Sequence, residues 1–254
     1  MICFCFVIGV KAQSYKQAIA DFEGTYSSRD YAKRFEIGQK LKNSFQKDLQ
    51  KEPMRIAELD NAFGDYYLWT NNYDSSQAFY ARAVNRVYGL KTDTCFDYAF
   101  YLANMAFVLK EMGYYETSDK YYAVALPKLA YYLGSSSEQY SSYLKHYVDL
   151  NVDMGDYVNA HAYNEALLFY YKGMKGEKDE MYLACLTNKG RILQGQGKYN
   201  EAVFIFANLV EATRINFPND TLTQTVTLNN LAYCYRLLGN NSSAEQYFIE
   251  TYRL

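Results

Sequence analysis

Residues 194–202 read QGQGKYNEA, two glycines and a lysine ahead of a helix-forming run. A glycine-rich turn that opens a helix can cradle a phosphate with its backbone N–H groups, so a nucleotide loop is the first possibility to weigh. Such a loop needs a strand before it and a Ser or Thr directly after the lysine to hold magnesium. Here Tyr199 follows Lys198, and the residues before Gly195 carry helical spacing. Related turns in the same chain read MGYYETS, MGDYVNA and LGNNSSA, with no lysine after the glycine. The stretch is a turn between two helices, and Lys198 points to solvent.

Those related turns are evenly spaced. Stepping back from Tyr199 by 42 residues meets Tyr157, Tyr115, Tyr73 and Tyr31, and one step forward meets Asn241. Two residues before each of the later positions stand Asn71, Gly113, Gly155, Gly197 and Gly239. Three residues after stand Ser76, Ser118, Ala160, Ala202 and Ala244. A further small column precedes the turn (Gly64, Ala106, Val148, Gly190, Ala232), and a mostly aromatic one follows it (Tyr80, Tyr122, Asn164, Phe206, Phe248). A fixed period of this size marks a repeat architecture.

Each repeat reads as two helices. Leu228, Leu231, Ala232 and Tyr235 share one helical face before a turn, and Ala202, Phe206 and Leu209 share one after it. The glycine ends the first helix because it enters the left-handed conformation freely. Small residues in both helices permit close approach, and the aromatic fills the space between them. Start signals agree: Ser135-Ser136-Ser137-Glu138 offers a cap with a capping-box glutamate, Pro53 suits a first turn, and Pro218 to Thr221 marks another start. Helices of about 15 to 18 residues are expected, each roughly 25 Å long.

The segment LNNLAYCYRLLGNNSSAEQYF (228–248) resembles a tetratricopeptide repeat of the 42-residue, kinesin-light-chain-like type. GRILQGQGKYNEAVFIF and MAFVLKEMGYYETSDKYY carry the pattern more loosely. The resemblance implies an all-α fold, a right-handed superhelical solenoid of helix-turn-helix repeats. Five units are expected over 53–254, continuing past it, with a degenerate repeat at 13–52 where Arg29 and Arg34 replace the small residues.

The resemblance also implies that the first helix of every repeat lines a concave groove, which in this family commonly holds an extended peptide. Two columns beside the small one then become candidates. One runs Ala62, Asn104, His146, Asn188 and Asn230; the other Asp65, Phe107, Asp149, Arg191 and Tyr233. Asparagine offers donors and an acceptor, so a ladder of it suits the main chain of a ligand, as the matching asparagines do in similar kinesin-light-chain repeats. The alternative is that these asparagines bridge neighbouring helices. Lys145, Arg191 and Arg236 offer a grip on a carboxylate, Phe107 and Tyr233 apolar platforms, and Asp149 with Asp153 a solvated or ligand-facing patch. The expected groove residues are therefore Asn104, Phe107, His146, Asp149, Asn188, Arg191, Asn230 and Tyr233.

Catalytic patterns are thin. His146 and His161 lie on successive helices without a zinc-binding or nucleophile motif around them. With 26 basic against 28 acidic residues, the charge balance gives no reason to expect nucleic acid. The 29 tyrosines suit half-buried positions where helices meet water. Cys95, Cys185 and Cys234 have no metal-site or disulfide-framework spacing and read as small buried apolar residues. The start, MICFCFVIGVKAQS, reads as a secretory signal over 1–12 that lacks its basic leader, so the chain is expected to be exported, periplasmic or extracellular, and otherwise cytoplasmic.

The sequence thus points to a non-catalytic scaffold that binds a peptide or protein. It predicts no cofactor, metal, nucleic acid or small-molecule substrate, and membrane contact only through a further downstream segment. A second reading is the sensory or regulatory N-terminal half of a longer bacterial signalling protein or CHAT-type peptidase, with its effector after residue 254. A third is self-association through apolar Tyr252 and Leu254.

Overall fold

The computed structural model describes residues 14–91 and 94–254, the Lys91 side chain excepted. The secretory-signal expectation over 1–12 lies outside the described residues. Within them all regular structure is α-helical, with no strand. The chain forms two compact units, one through Tyr132 and one from Leu133.

In the first unit, α1 (residues 14–23) and α2 (Tyr31–Ser44) form a hairpin, followed by the one-turn α3 (Gln46–Leu49). Two longer hairpins follow, α4 (Pro53–Trp69) with α5 (Tyr73–Lys91) and α6 (Phe96–Glu111) with α7 (Tyr115–Leu133). The second unit holds three: α8 (Glu138–Met154) with α9 (Tyr157–Met174), α10 (Glu180–Gly195) with α11 (Tyr199–Asn216), and α12 (Thr221–Leu237) with α13 (Asn241–Arg253). Within the first unit α2 to α6 pack in succession, within the second α8 to α13 do, and α8 also meets α10, the first helix of the next hairpin. The fold class is the expected one, a repeated helix-turn-helix.

The 42-residue step places the start of every second helix: Tyr31, Tyr73, Tyr115, Tyr157, Tyr199 and Asn241 are each the first residue of one. The turns before the last five of these share a hydrogen-bond pattern. Gly197 N–H donates to the Gln194 carbonyl and Lys198 N–H to the Leu193 carbonyl, which satisfies the open end of α10. That pattern needs a left-handed residue, and Gly197 supplies it at φ +77°. In the earliest two hairpins Arg29 (φ 49°) and Asn71 (φ 58°) occupy the same conformation without being glycine.

The small and aromatic columns meet as expected. A methyl group on Gly190 would sit 2.5 Å from the buried Phe206 ring, and one on Gly64 would sit 2.6 Å from Tyr80. Gly195, the other glycine of QGQGKYNEA, lies against the ring of Tyr157 from the previous hairpin. The serines of the small column add a bond: Ser76 Oγ donates to the Gly64 carbonyl at 2.9 Å and Ser118 Oγ to that of Ala106 at 2.7 Å. Ala202, Phe206 and Leu209 are all buried, together with Leu228 and Leu231 of the next hairpin.

Pro53 opens α4, and Asp220 caps α12 by accepting from Thr223 N–H at 3.0 Å. The capping box ahead of α8 is not formed. Ser137 is the cap, accepting from Tyr140 N–H at 3.1 Å, so Glu138 falls at the first helical position and cannot reach back to the cap. Glu138 pairs instead with Lys175 at 3.3 Å. Cys185 and Cys234 are buried, which pushes their thiols up to about 12 and about 11, while Cys95 is half-buried beside the start of α6.

Candidate interaction groove

The first unit contains a cleft of about 740 Å³ along the exposed side of its first helices. One face of α4 supplies Met54, Glu58, Asn61 and Asp65, spaced four, three and four residues apart as a helical stripe requires. From α6 come Phe96, Asp97, Phe100 and Tyr101, and from the first hairpin Tyr26 and Arg34.

The floor is ionic. Arg34 is buried where the later repeats have Ser or Ala. Its Nε donates to Thr25 Oγ1 at 3.3 Å and its Nη2 to the Thr25 carbonyl at 3.0 Å, while Nη1 stands 3.6 Å from Asp65. The guanidinium lies under the Tyr26 ring, 4.5 Å from its centroid. The residue that breaks the small column is therefore fully accommodated, because the first hairpin turns its cation toward the α4 carboxylate. Asp65 also accepts from Tyr80 Oη at 2.8 Å. Burial pushes its carboxyl up to about 6, against the lowering influence of Tyr80 and Arg34.

The walls are braced in the same way. Tyr26 Oη donates to Glu58 at 2.6 Å, and burial together with that carboxylate pushes the phenol far above its ordinary range. Arg55 joins Glu58 to Glu23. Phe96 and Phe100 stack in parallel with centroids 5.8 Å apart.

Asn104, expected at the groove, donates through Nδ2 to Asn61 Oδ1 at 2.9 Å, and so ties α6 to α4. Phe107 is half-buried on the same helix.

In the second unit the expected residues form a polar lattice between α8 and α10. Buried Asn188 donates Nδ2 to Asp149 Oδ1 at 2.7 Å and accepts at Oδ1 from Arg191 at 3.3 Å. Lys145 reaches Asp149 at 3.0 Å, and Arg191 reaches Asp153 at 2.7 Å. Burial alone would raise the Asp149 carboxyl, but Lys145 and the Asn188 amide outweigh it and hold the group below its ordinary value. The acidic pair Asp149 and Asp153 is thus neutralised within the fold, and so are Lys145 and Arg191. His146 is half-buried on α8, and Asn230 is half-buried on α12, where its side chain makes no hydrogen bond among the described residues. Tyr233 is exposed beneath Arg236, whose guanidinium lies 4.5 Å from the ring centroid.

The cleft of the first unit was not anticipated, though a signal for it exists. The 42-residue step that relates the turns also relates Met54 to Phe96 and Glu58 to Phe100, all four of which line it.

A family model described as tetratricopeptide repeat matches residues 225–254. No curated protein matches the sequence. Among solved structures, BtubC (BKLC) from P. vanneervenii is similar at 14% identity and a TM-score of 0.65, over 91% of this chain and 90% of that one. A putative kinesin light chain with nearly identical TPR-like repeats, from Podosopora anserina, is similar at 13% identity and a TM-score of 0.63, over 79% and 95%. A Rap protein complexed with competence and sporulation factor is similar at 13% identity and a TM-score of 0.66, over 95% and 76%. At these identities the likeness concerns the fold. With its 42-residue hairpins and shared turns, the chain has the tetratricopeptide-repeat fold of these structures, and its residues 225–254 match the repeat's family model.

Proposed function

We propose that the chain is a non-catalytic interaction scaffold that binds an extended peptide, or an extended segment of a protein, along its first helices. The observation that carries this reading is the cleft between α4 and α6, lined by aromatic rings and braced polar groups. Apolar faces with a few fixed polar groups suit a peptide ligand, the rings giving contact area and the polar groups register. A similar fold holds a partner in the Rap protein complexed with competence and sporulation factor.

The test is a selection of random 12-residue peptides displayed against the intact chain, repeated with Phe96→Ala. Phe96 is half-buried at the cleft, so its truncation should remove the selected binders and leave helical content unchanged. Binders that hold equally well to both chains would place the binding surface elsewhere.

A further inference from the structure

The cleft has an unbalanced charge. Its lining carries four carboxylates, on Glu52, Glu58, Asp65 and Asp97, against two guanidinium groups, on Arg34 and Arg55. Both guanidiniums are already engaged inside the fold, Arg34 with Asp65 and Arg55 with Glu58 and Glu23. Glu52 accepts only from the Tyr15 hydroxyl at 3.1 Å, and Asp97 has no cationic partner among the described residues. Two carboxylates therefore stand at the cleft with no cation of their own among the described residues.

The apolar lining has the same preference. Phe96 and Phe100 present parallel rings beside Asp97, with Tyr101 on the next turn side. The face of an aromatic ring attracts a cation, and the attraction grows where water is partly excluded. A carboxylate beside such rings suits a side chain with an alkyl stem and a charged end, the form of arginine and lysine. An acidic segment would instead meet Glu52 and Asp97 at close range, where like charges disfavour binding.

Building on the scaffold reading, we propose that the first unit's cleft selects a basic segment of a partner protein, seating an Arg or Lys side chain against Phe96 and Phe100 with its charge at Asp97 and Glu52. The braced pairs on the floor and walls hold the opening in shape, so that the cation finds its carboxylates already placed.

The test uses the full chain and three capped decapeptides, identical in their Gly/Ser/Ala flanks and differing in a central Arg-Ala-Arg, Gln-Ala-Gln or Glu-Ala-Glu. Titration calorimetry should rank Arg above Gln by about tenfold, with Glu weakest, and the preference should shrink at high salt. The Glu52→Gln/Asp97→Asn double variant should lose most of the Arg preference, while its melting temperature stays near that of the parent. Equal binding of the Arg and Gln peptides overturns the proposal, as does a double variant that keeps the preference. Spermidine binding as tightly as the Arg peptide overturns the assignment to a protein partner. If displayed peptides bind through Phe96 but the Arg peptide has no advantage, the charge selection fails and the scaffold reading stands. If no peptide binds at all, both fail.

Discussion

The Arg34 guanidinium lies 3.6 Å from the Asp65 carboxylate, joining the first hairpin to α4 at the floor of the cleft. Burial pushes Asp65 up to about 6, above its ordinary 3.8. A carboxyl raised in the folded state contributes stability that is complete below its unfolded value and is lost as pH rises through its folded value. From this group the first unit should therefore lose on the order of 3 kcal/mol between about pH 4 and pH 6. Asp149 has the opposite sign, because its folded value is lowered: its contribution is present above 3.8 and is lost as pH falls through the lower value. Carboxyl NMR titration should find Asp65 turning over near pH 6 and Asp149 below its ordinary range. The reverse order would contradict the account of both networks.

Two turns carry backbone strain that the other repeats avoid with glycine. Arg29 and Asn71 hold φ of 49° and 58°, in the left-handed region. Asn tolerates that region better than Arg, since its short polar side chain bonds locally. Arg29→Gly should therefore raise stability by about 1 kcal/mol, and Asn71→Gly by less. Thermal unfolding of the single variants decides this, and a loss of stability in Arg29→Gly would contradict it.

The glycines at 190 and 195 are both packing requirements, but of unequal cost. A methyl on Gly190 meets the fully buried Phe206 ring, which has nowhere to go. A methyl on Gly195 meets the half-buried end of Tyr157, which can swing toward solvent. Gly190→Ala should cost about 1–3 kcal/mol and Gly195→Ala distinctly less. Equal costs in chemical denaturation would show that the Tyr157 ring is as fixed as that of Phe206.

The asparagines of the ladder should separate by role. Asn188 is buried and bridges Asp149 and Arg191, so Asn188→Ala should cost about 1–3 kcal/mol by leaving a charged acceptor short of a donor. Asn230 makes no comparable bond, and Asn230→Ala should change stability by no more than about 0.5 kcal/mol. Parallel urea titrations test the pair. Similar effects in both would contradict the bridging role.

The fold was legible in the sequence because one column, Tyr31 to Asn241, marks the start of every second helix, and the small residues state which faces meet. The site was less legible. Periodicity locates the first helices but leaves their rotation open, and a shift of one residue exchanges a groove position for an interhelical one. Asn188 therefore lies between helices, while Asn61, one place before the ladder column, lines the cleft. Arg34 read as a defect in the repeat because its partners Thr25 and Asp65 are 9 and 31 residues away, beyond the reach of any local pattern. The capping box failed for a related reason: three successive serines offer three caps, and packing selects Ser137.

The central claim, that partners bind along the first helices, is tested most directly by hydrogen–deuterium exchange of the full chain with and without a display-selected peptide. The account predicts slowed exchange in α4 and α6, at the turns carrying Met54 to Asn61 and Phe96 to Asn104, with α5 and α7 unchanged. Protection confined to the second helices would contradict it.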